Sequence, residues 1–105
     1  MEHLLVRYKT KPGAVEENRR LIEAVYEALN AEAPQDIGYI TFELDDGSFV
    51  HVKTDAVEGA FHLPNLPAFQ AFTQNIRERC EEPPKSAKAR LVGSYGIWAR
   101  GMGRR

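Results

Sequence analysis

Ile37-Gly-Tyr-Ile-Thr-Phe-Glu-Leu-Asp-Asp-Gly-Ser-Phe-Val-His-Val-Lys-Thr54 carries two alternating runs around Asp45-Asp46-Gly47, the pattern of a β-hairpin. Its register can be read from the side chains. A two-residue Asp46-Gly47 loop sets Phe42 opposite His51 and Ile40 opposite Lys53. A three-residue loop, with Gly47 in the left-handed position, sets Phe42 opposite Val50 and Ile40 opposite Val52. The second choice gathers the aliphatic residues on one face and is the one expected. The other face then carries Tyr39, Thr41, Glu43, Phe49, His51 and Lys53, a mixed aromatic surface unlike one that faces plain solvent.

Outward from the hairpin, the flanking segments alternate in type. His3 to Thr10 reads as a strand in which Leu4, Val6 and Tyr8 alternate with Leu5, Arg7 and Lys9. The adjacent Leu4 and Leu5 suggest an interior strand covered on both faces, and Lys11-Pro12-Gly13 stops it. A helix follows from about Ala14 to Ala33, with Val15, Ile22, Val25 and Leu29 on one stripe and Pro34 behind it. After the hairpin, Asp55 to Leu66 is a connector with room for one helical turn. A second helix is expected from Pro67 to Glu82, with Phe69, Phe72, Ile76 and Cys80 as its apolar stripe and Pro83-Pro84 as its stop. Ala87 to Ala99 reads as a long last strand, with Tyr95 and Trp98 on opposite faces.

Strand, helix, strand, strand, helix, strand is the split βαβ order. The expected fold is therefore α+β, ferredoxin-like: a four-stranded antiparallel sheet with two helices on one face. It forms one domain over residues 1–99, followed by a basic C-terminal tail at 100–105. The uncovered face carries Tyr39 and Phe49 on this reading. An exposed apolar face usually marks an interface, and a second copy of the chain is the expected partner, giving a homodimer.

Composition narrows the partners further. Fourteen Lys and Arg against fifteen Asp and Glu give a formal charge of −1, which excludes the basic footprint of a nucleic-acid binder. No apolar run is long enough to span a bilayer, and Met1 to Arg7 does not read as a secretory signal, so a cytoplasmic location is expected. Cys80 is the only cysteine, which rules out an internal disulfide or a CxxC motif, and it reads as a small apolar residue. His3, His51 and His62 show no HxH or HExxH spacing, so no metal is expected. No phosphate-cradling glycine motif opens a helix.

Two segments carry a family resemblance. Tyr8-Lys-Thr-Lys-Pro-Gly13, leading into an acidic helix start, and His62-Leu-Pro-Asn-Leu-Pro-Ala-Phe-Gln-Ala-Phe72 resemble the antibiotic biosynthesis monooxygenase-like group. With the element order, the resemblance covers about residues 3–99. It implies a dimeric α/β barrel with a pocket in each subunit between sheet and helices, and cofactor-free oxygenation of a small phenol or quinol. Where members commonly carry a Trp after the third strand, this chain has Thr54 or Asp55. The haem-degrading branch has an Asn near Val6 and a His near Thr73, and both are missing here, so no cofactor is implied.

The candidate site residues follow from the two lines of reasoning together. His62, at the position of the family's connector histidine, and His51 are the candidate bases. Each has a plainer reading, helix-entry hydrogen bonding for His62 and the dimer seam for His51. His3 and His51, on adjacent strands, are close enough in the sheet to approach each other. Phe69, Phe72 and Trp98 are candidate apolar walls for an aromatic substrate, or else core. Arg7, on an interior strand, is either paired with a carboxylate such as Glu43 or held for an anionic substrate. The expected function is cofactor-independent oxygenation of a small aromatic. The alternative is a non-catalytic homodimer that binds a small hydrophobic molecule.

Overall fold

A computed structural model describes residues 2–56 and 61–96 of the chain. Strand β1 (Glu2–Thr10) leads through a 3-10 turn into the long helix α1 (Val15–Glu32). The hairpin β2 (Ile37–Glu43) and β3 (Ser48–Asp55) follows, then the short helices α2 (Pro67–Thr73) and α3 (Ile76–Arg79), and last β4 (Cys80–Ala89). The strands form one antiparallel sheet in the order β2-β3-β1-β4, the ferredoxin-like arrangement that the element order predicts.

The hairpin takes the expected register. Ile40 pairs with Val52 and Phe42 with Val50. The Leu44 N–H donates to the Ser48 carbonyl at 2.8 Å, and Gly47 turns the loop at a φ of 87°, a conformation that glycine adopts without penalty.

The helices cover the opposite sheet face from the one expected. Directly paired residues share a face, and Tyr8 pairs with Phe49, Val6 with His51, and Thr41 with His51. Tyr8, Phe49 and His51 are buried with Ile22 and Val25 of α1 and Phe72 of α2. Leu5, Ile40, Phe42, Val50 and Val52 lie on the other face, where Phe42 is 54% exposed. Alternation separates two faces without saying which one the helices take. Large rings decide it here: Tyr8 stacks on Phe49 at 5.6 Å and Tyr26 of α1 on Tyr39 at 5.4 Å, filling the space between sheet and helix. The interior strand β1 is thus covered by helices on one face only.

The second half of the chain departs from expectation in a related way. The helix expected over 67–82 breaks at Gln74-Asn75, where Asn75 adopts a left-handed φ of 62°. The break leaves carbonyls without helical partners, and the Arg79 guanidinium donates to those of Phe72 and Gln74. Pro83-Pro84 does not stop a helix but lies within β4, which begins at Cys80 and, among the described residues, pairs only with β1. An edge strand tolerates a missing N–H, and the register shifts between Arg7 and Thr10 accommodate it. Residues 90–96 are irregular, with Val92 and Tyr95 exposed. The end of the strand expected over 87–99, Trp98 included, lies outside the described residues, as does the tail.

Candidate functional site

Three elements deliver polar side chains to the buried sheet face. Tyr8 comes from β1, His51 from β3, and Tyr39 and Thr41 from β2. Helix α1 adds Asn18 and Tyr26, and the residue ending α3 is Arg79. Asn18 falls between Val15 and Ile22 on the apolar stripe of α1, so helix geometry aims it at the sheet. It is fully buried, and Arg79 is 6% exposed.

These groups form a continuous chain of hydrogen bonds. Arg79 Nε donates to Asn18 Oδ1 at 3.0 Å, and Asn18 Nδ2 donates to the Tyr8 hydroxyl at 2.9 Å. The Tyr8 hydroxyl lies 2.8 Å from His51 Nε2. On the other side of the ring, His51 Nδ1 lies 2.9 Å from the Tyr39 hydroxyl and 3.0 Å from that of Thr41. Thr41 continues to the Tyr26 hydroxyl at 2.8 Å. The directions are fixed from one end. Arginine has only donors, so it orients the Asn18 amide with its oxygen toward Arg79 and its NH₂ toward Tyr8. Tyr8 accepts from that NH₂, and the remaining partner for its own proton is Nε2 of His51. With the Tyr8 proton on that bond, the imidazole is the neutral tautomer protonated at Nδ1, donating toward Tyr39 and Thr41.

Burial shapes the acid–base behaviour of the histidine and the three tyrosines. It pushes His51 down from 6.5 to about 4, because the interior disfavours the imidazolium. It raises Tyr8, Tyr39 and Tyr26, against which hydrogen bonds from Asn18 and Thr41 act in the opposite direction. At neutral pH the whole chain beyond Arg79 is uncharged.

A cavity of about 310 Å³ lies against this chain. Leu63, Phe69, Phe72 and Ile76 wall it from the helix side and Leu4, Val6, Tyr8, Tyr39 and His51 from the sheet side, and its lining is almost wholly apolar. Phe69 and Phe72 are tilted against each other at 5.9 Å, Phe72 packs on the His51 ring at 5.3 Å, and Phe69 meets the Tyr39 ring edge-on at 6.5 Å, so the cavity lies beside these ring contacts. Lys53 also borders the cavity, with Nζ 3.3 Å from the Asp55 carboxylate. Among the described residues, no group of three or more His, Cys, Asp or Glu side chains is arranged to hold a metal. No helix of the described residues is long and apolar enough to cross a membrane.

The candidate residues therefore separate. His51, Phe69 and Phe72 meet at the cavity. His62 is exposed, and its carbonyl accepts the Asn65 N–H at the turn before α2; its side chain is not part of the cavity wall. Arg7 pairs with Val50 on the open face, across the sheet from the cavity, so it cannot reach a molecule bound there. The expected Arg7–Glu43 pair does not form, because Glu43 pairs with Phe49 on the covered face while Arg7 lies on the other, and Glu43 makes a two-pronged bond to Arg19 at 2.8 Å. His3 also faces away from His51 and bonds the Thr54 hydroxyl at 2.7 Å. Sequence reasoning passed over Asn18 and Arg79. Each interrupts an apolar helical stripe at core spacing, Val15–Asn18–Ile22 and Phe72–Ile76–Arg79, and that interruption was the available signal.

Comparison with solved structures gives the same architecture. An antibiotic biosynthesis monooxygenase superposes with a TM-score of 0.71 at 17% identity, covering 89% of this chain and 100% of its own. The chain has the fold of that monooxygenase structure. Rv0793 from Mycobacterium tuberculosis matches with a TM-score of 0.71 at 16% identity, covering 90% of this chain and 98% of its own. A Bacteroides thetaiotaomicron protein, provisionally named as an antibiotic biosynthesis monooxygenase, matches with a TM-score of 0.73 at 14% identity over 87% of this chain and 89% of its own. No family model matches the sequence, and no curated protein does.

The depressed basicity of His51 has a consequence for stability. The unfolded chain binds a proton at His51 near pH 6.5 and the folded chain only near pH 4, so stability falls as pH drops through that window. The loss is on the order of 3 kcal/mol. Urea unfolding of the wild type and His51→Gln between pH 7 and pH 4 should show the wild type losing more stability by about that amount. Parallel losses in the two proteins would contradict a buried neutral His51.

Proposed function

We propose that the cavity binds a small aromatic hydroxyl compound, a phenol or quinol, and that the protein oxygenates it without a cofactor. The observation behind this reading is an apolar cavity of one- or two-ring size with Tyr8, Tyr39 and His51 in one wall, their hydroxyls and imidazole hydrogen-bonded to one another. Phe69 and Phe72 hold the ring. Loss of the substrate's hydroxyl proton gives an electron-rich anion that reacts with O2 at a ring carbon. One oxygen atom stays on the ring and the other leaves as water, so a phenol and O2 become a quinone and water. His51, unprotonated at neutral pH, receives the substrate proton through the Tyr8 hydroxyl, which passes its own proton to Nε2 as it takes the substrate's, and the weak basicity of His51 returns that proton readily. His62 and Arg7, set apart from the cavity, have no part in this scheme. The fold shared with a structure named as an antibiotic biosynthesis monooxygenase supports the reaction class.

The second reading is a non-catalytic homodimer that carries a small hydrophobic molecule. The same low basicity of His51 favours it, since a base of pKa about 4 draws protons weakly from an ordinary phenol. Oxygen uptake with a panel of quinols separates the two. The oxygenase reading predicts turnover that falls at least tenfold in His51→Gln and is retained in His62→Ala. Binding of the same quinols with no oxygen uptake would leave the carrier.

The homodimer belongs to both readings. Leu5, Ile40, Phe42, Val50 and Val52, with Arg7 beside Val50, make a largely apolar sheet face that no helix of the described residues covers, and a second copy set sheet to sheet would bury it. Light scattering at micromolar concentration should give twice the chain mass. Phe42→Asp, placing a charge on that face, should shift the particle toward one chain mass; a wild-type monomer contradicts the pairing.

A further inference from the structure

Arg79 is a buried guanidinium, and among the described residues no carboxylate makes an ion pair with it. Glu17 and Glu78 border the same polar groove between α1 and the α2–α3 region but do not pair with it. Its hydrogen bonds go to two carbonyls and to Asn18 Oδ1, and its charge lies over the Phe72 ring at 5.7 Å. From that charge the first two donors run guanidinium to Asn18 and Asn18 to Tyr8, and the same sense continues through the contacts of Tyr8 with His51 Nε2 and of His51 Nδ1 with Tyr39 and Thr41 when the imidazole proton sits on Nδ1. Aligned hydrogen bonds in a low-dielectric interior polarise one another. With Nδ1–H donating, the phenolic proton of Tyr39 is released from the imidazole and can turn to an acceptor in the cavity that Tyr39 lines.

We propose that Arg79 and Asn18 are positioning residues that set this direction, so that Tyr39 offers its O–H to the ligand oxygen and the cavity prefers an acidic aromatic hydroxyl compound as its oxyanion. The inference rests on the aromatic-cavity reading above and specifies the form of ligand taken. Fixed donors aimed at a site where negative charge gathers favour the anion without reorganising when it forms. The other charged group bordering the cavity, Lys53, is engaged with Asp55, and it is unchanged in the variants below.

Asn18→Asp provides a nearly isosteric reversal. An Asp carboxylate accepts from both neighbours, Arg79 and the Tyr8 O–H. His51 then has to carry its proton on Nε2, and Nδ1 accepts from Tyr39, whose proton turns inward. Two measurements read this out on the full chain. Histidine side-chain ¹⁵N spectra at neutral pH should show His51 as the Nδ1–H tautomer in the wild type and as Nε2–H in Asn18→Asp. Absorbance titration of bound 4-nitrophenol should show its ionisation lowered by about one pH unit in the wild type, a tenfold preference for the phenolate. That preference should be lost in Asn18→Asp and in Tyr39→Phe, the second of which removes the donor without changing any charge. A wild-type Nε2–H tautomer, or nitrophenol bound with unshifted ionisation, overturns the inference and leaves the aromatic cavity standing. Failure of nitrophenol to bind at all overturns the cavity reading and the inference with it.

Discussion

The hydrogen bond between Tyr8 and His51 joins the two central strands, and the rest of the site depends on it. Both residues are almost wholly buried, so neither polar group has water to turn to, and leaving either unpaired costs about 1–3 kcal/mol. Their partners come from elements distant in sequence: Asn18 from α1, Arg79 from the end of α3, and Tyr39 and Thr41 from β2. A buried polar network of this kind constrains the fold as firmly as apolar packing, because it is satisfied only when sheet and helices sit in one register. It also explains why α2 and α3 are separate. The break at Gln74-Asn75 frees carbonyls, and Arg79 occupies them while reaching Asn18.

Much of the architecture was legible in the sequence. Asp45-Asp46-Gly47 and the flanking aliphatic residues determine the hairpin register, and Gly47 supplies the positive φ that the loop needs. The element order and the sheet topology follow from local pattern alone. What local pattern does not determine is the choice of covered face. Ile40, Phe42, Val50 and Val52 make a coherent apolar set, and so do Tyr8, Tyr39 and Phe49 with the polar groups they pair with. Only the fit of ring volume against α1 and α2 separates them. The proline pair misled for a similar reason. Pro83-Pro84 breaks a helix anywhere, yet at a sheet edge it is compatible with a strand, and edge position is a tertiary property.

The site was half legible. His51, Phe69 and Phe72 stand out as residue types, but their meeting depends on the face assignment. Asn18 and Arg79 were hidden within helical stripes that otherwise read as core, where a polar residue is uncommon and needs a partner. With the inner face identified, the two sheet faces have different chemistry. The inner one is ring-lined and polar at a few atoms, suited to a ligand. The outer one carries Leu5, Ile40, Phe42, Val50 and Val52 with Arg7 among them. The near-neutral charge of the chain agrees with both surfaces and with no polyanion.

The central claim is that the inner face holds an aromatic hydroxyl compound against the His51 chain, and a crystal structure with a bound phenol or quinol tests it most directly. The account predicts the ring packed against Phe69 and Phe72, with its oxygen within hydrogen-bond distance of the Tyr39 hydroxyl. Side chains of Phe69, Phe72 and Ile76 closed over the cavity, or the compound found only on the Phe42 face, would contradict it.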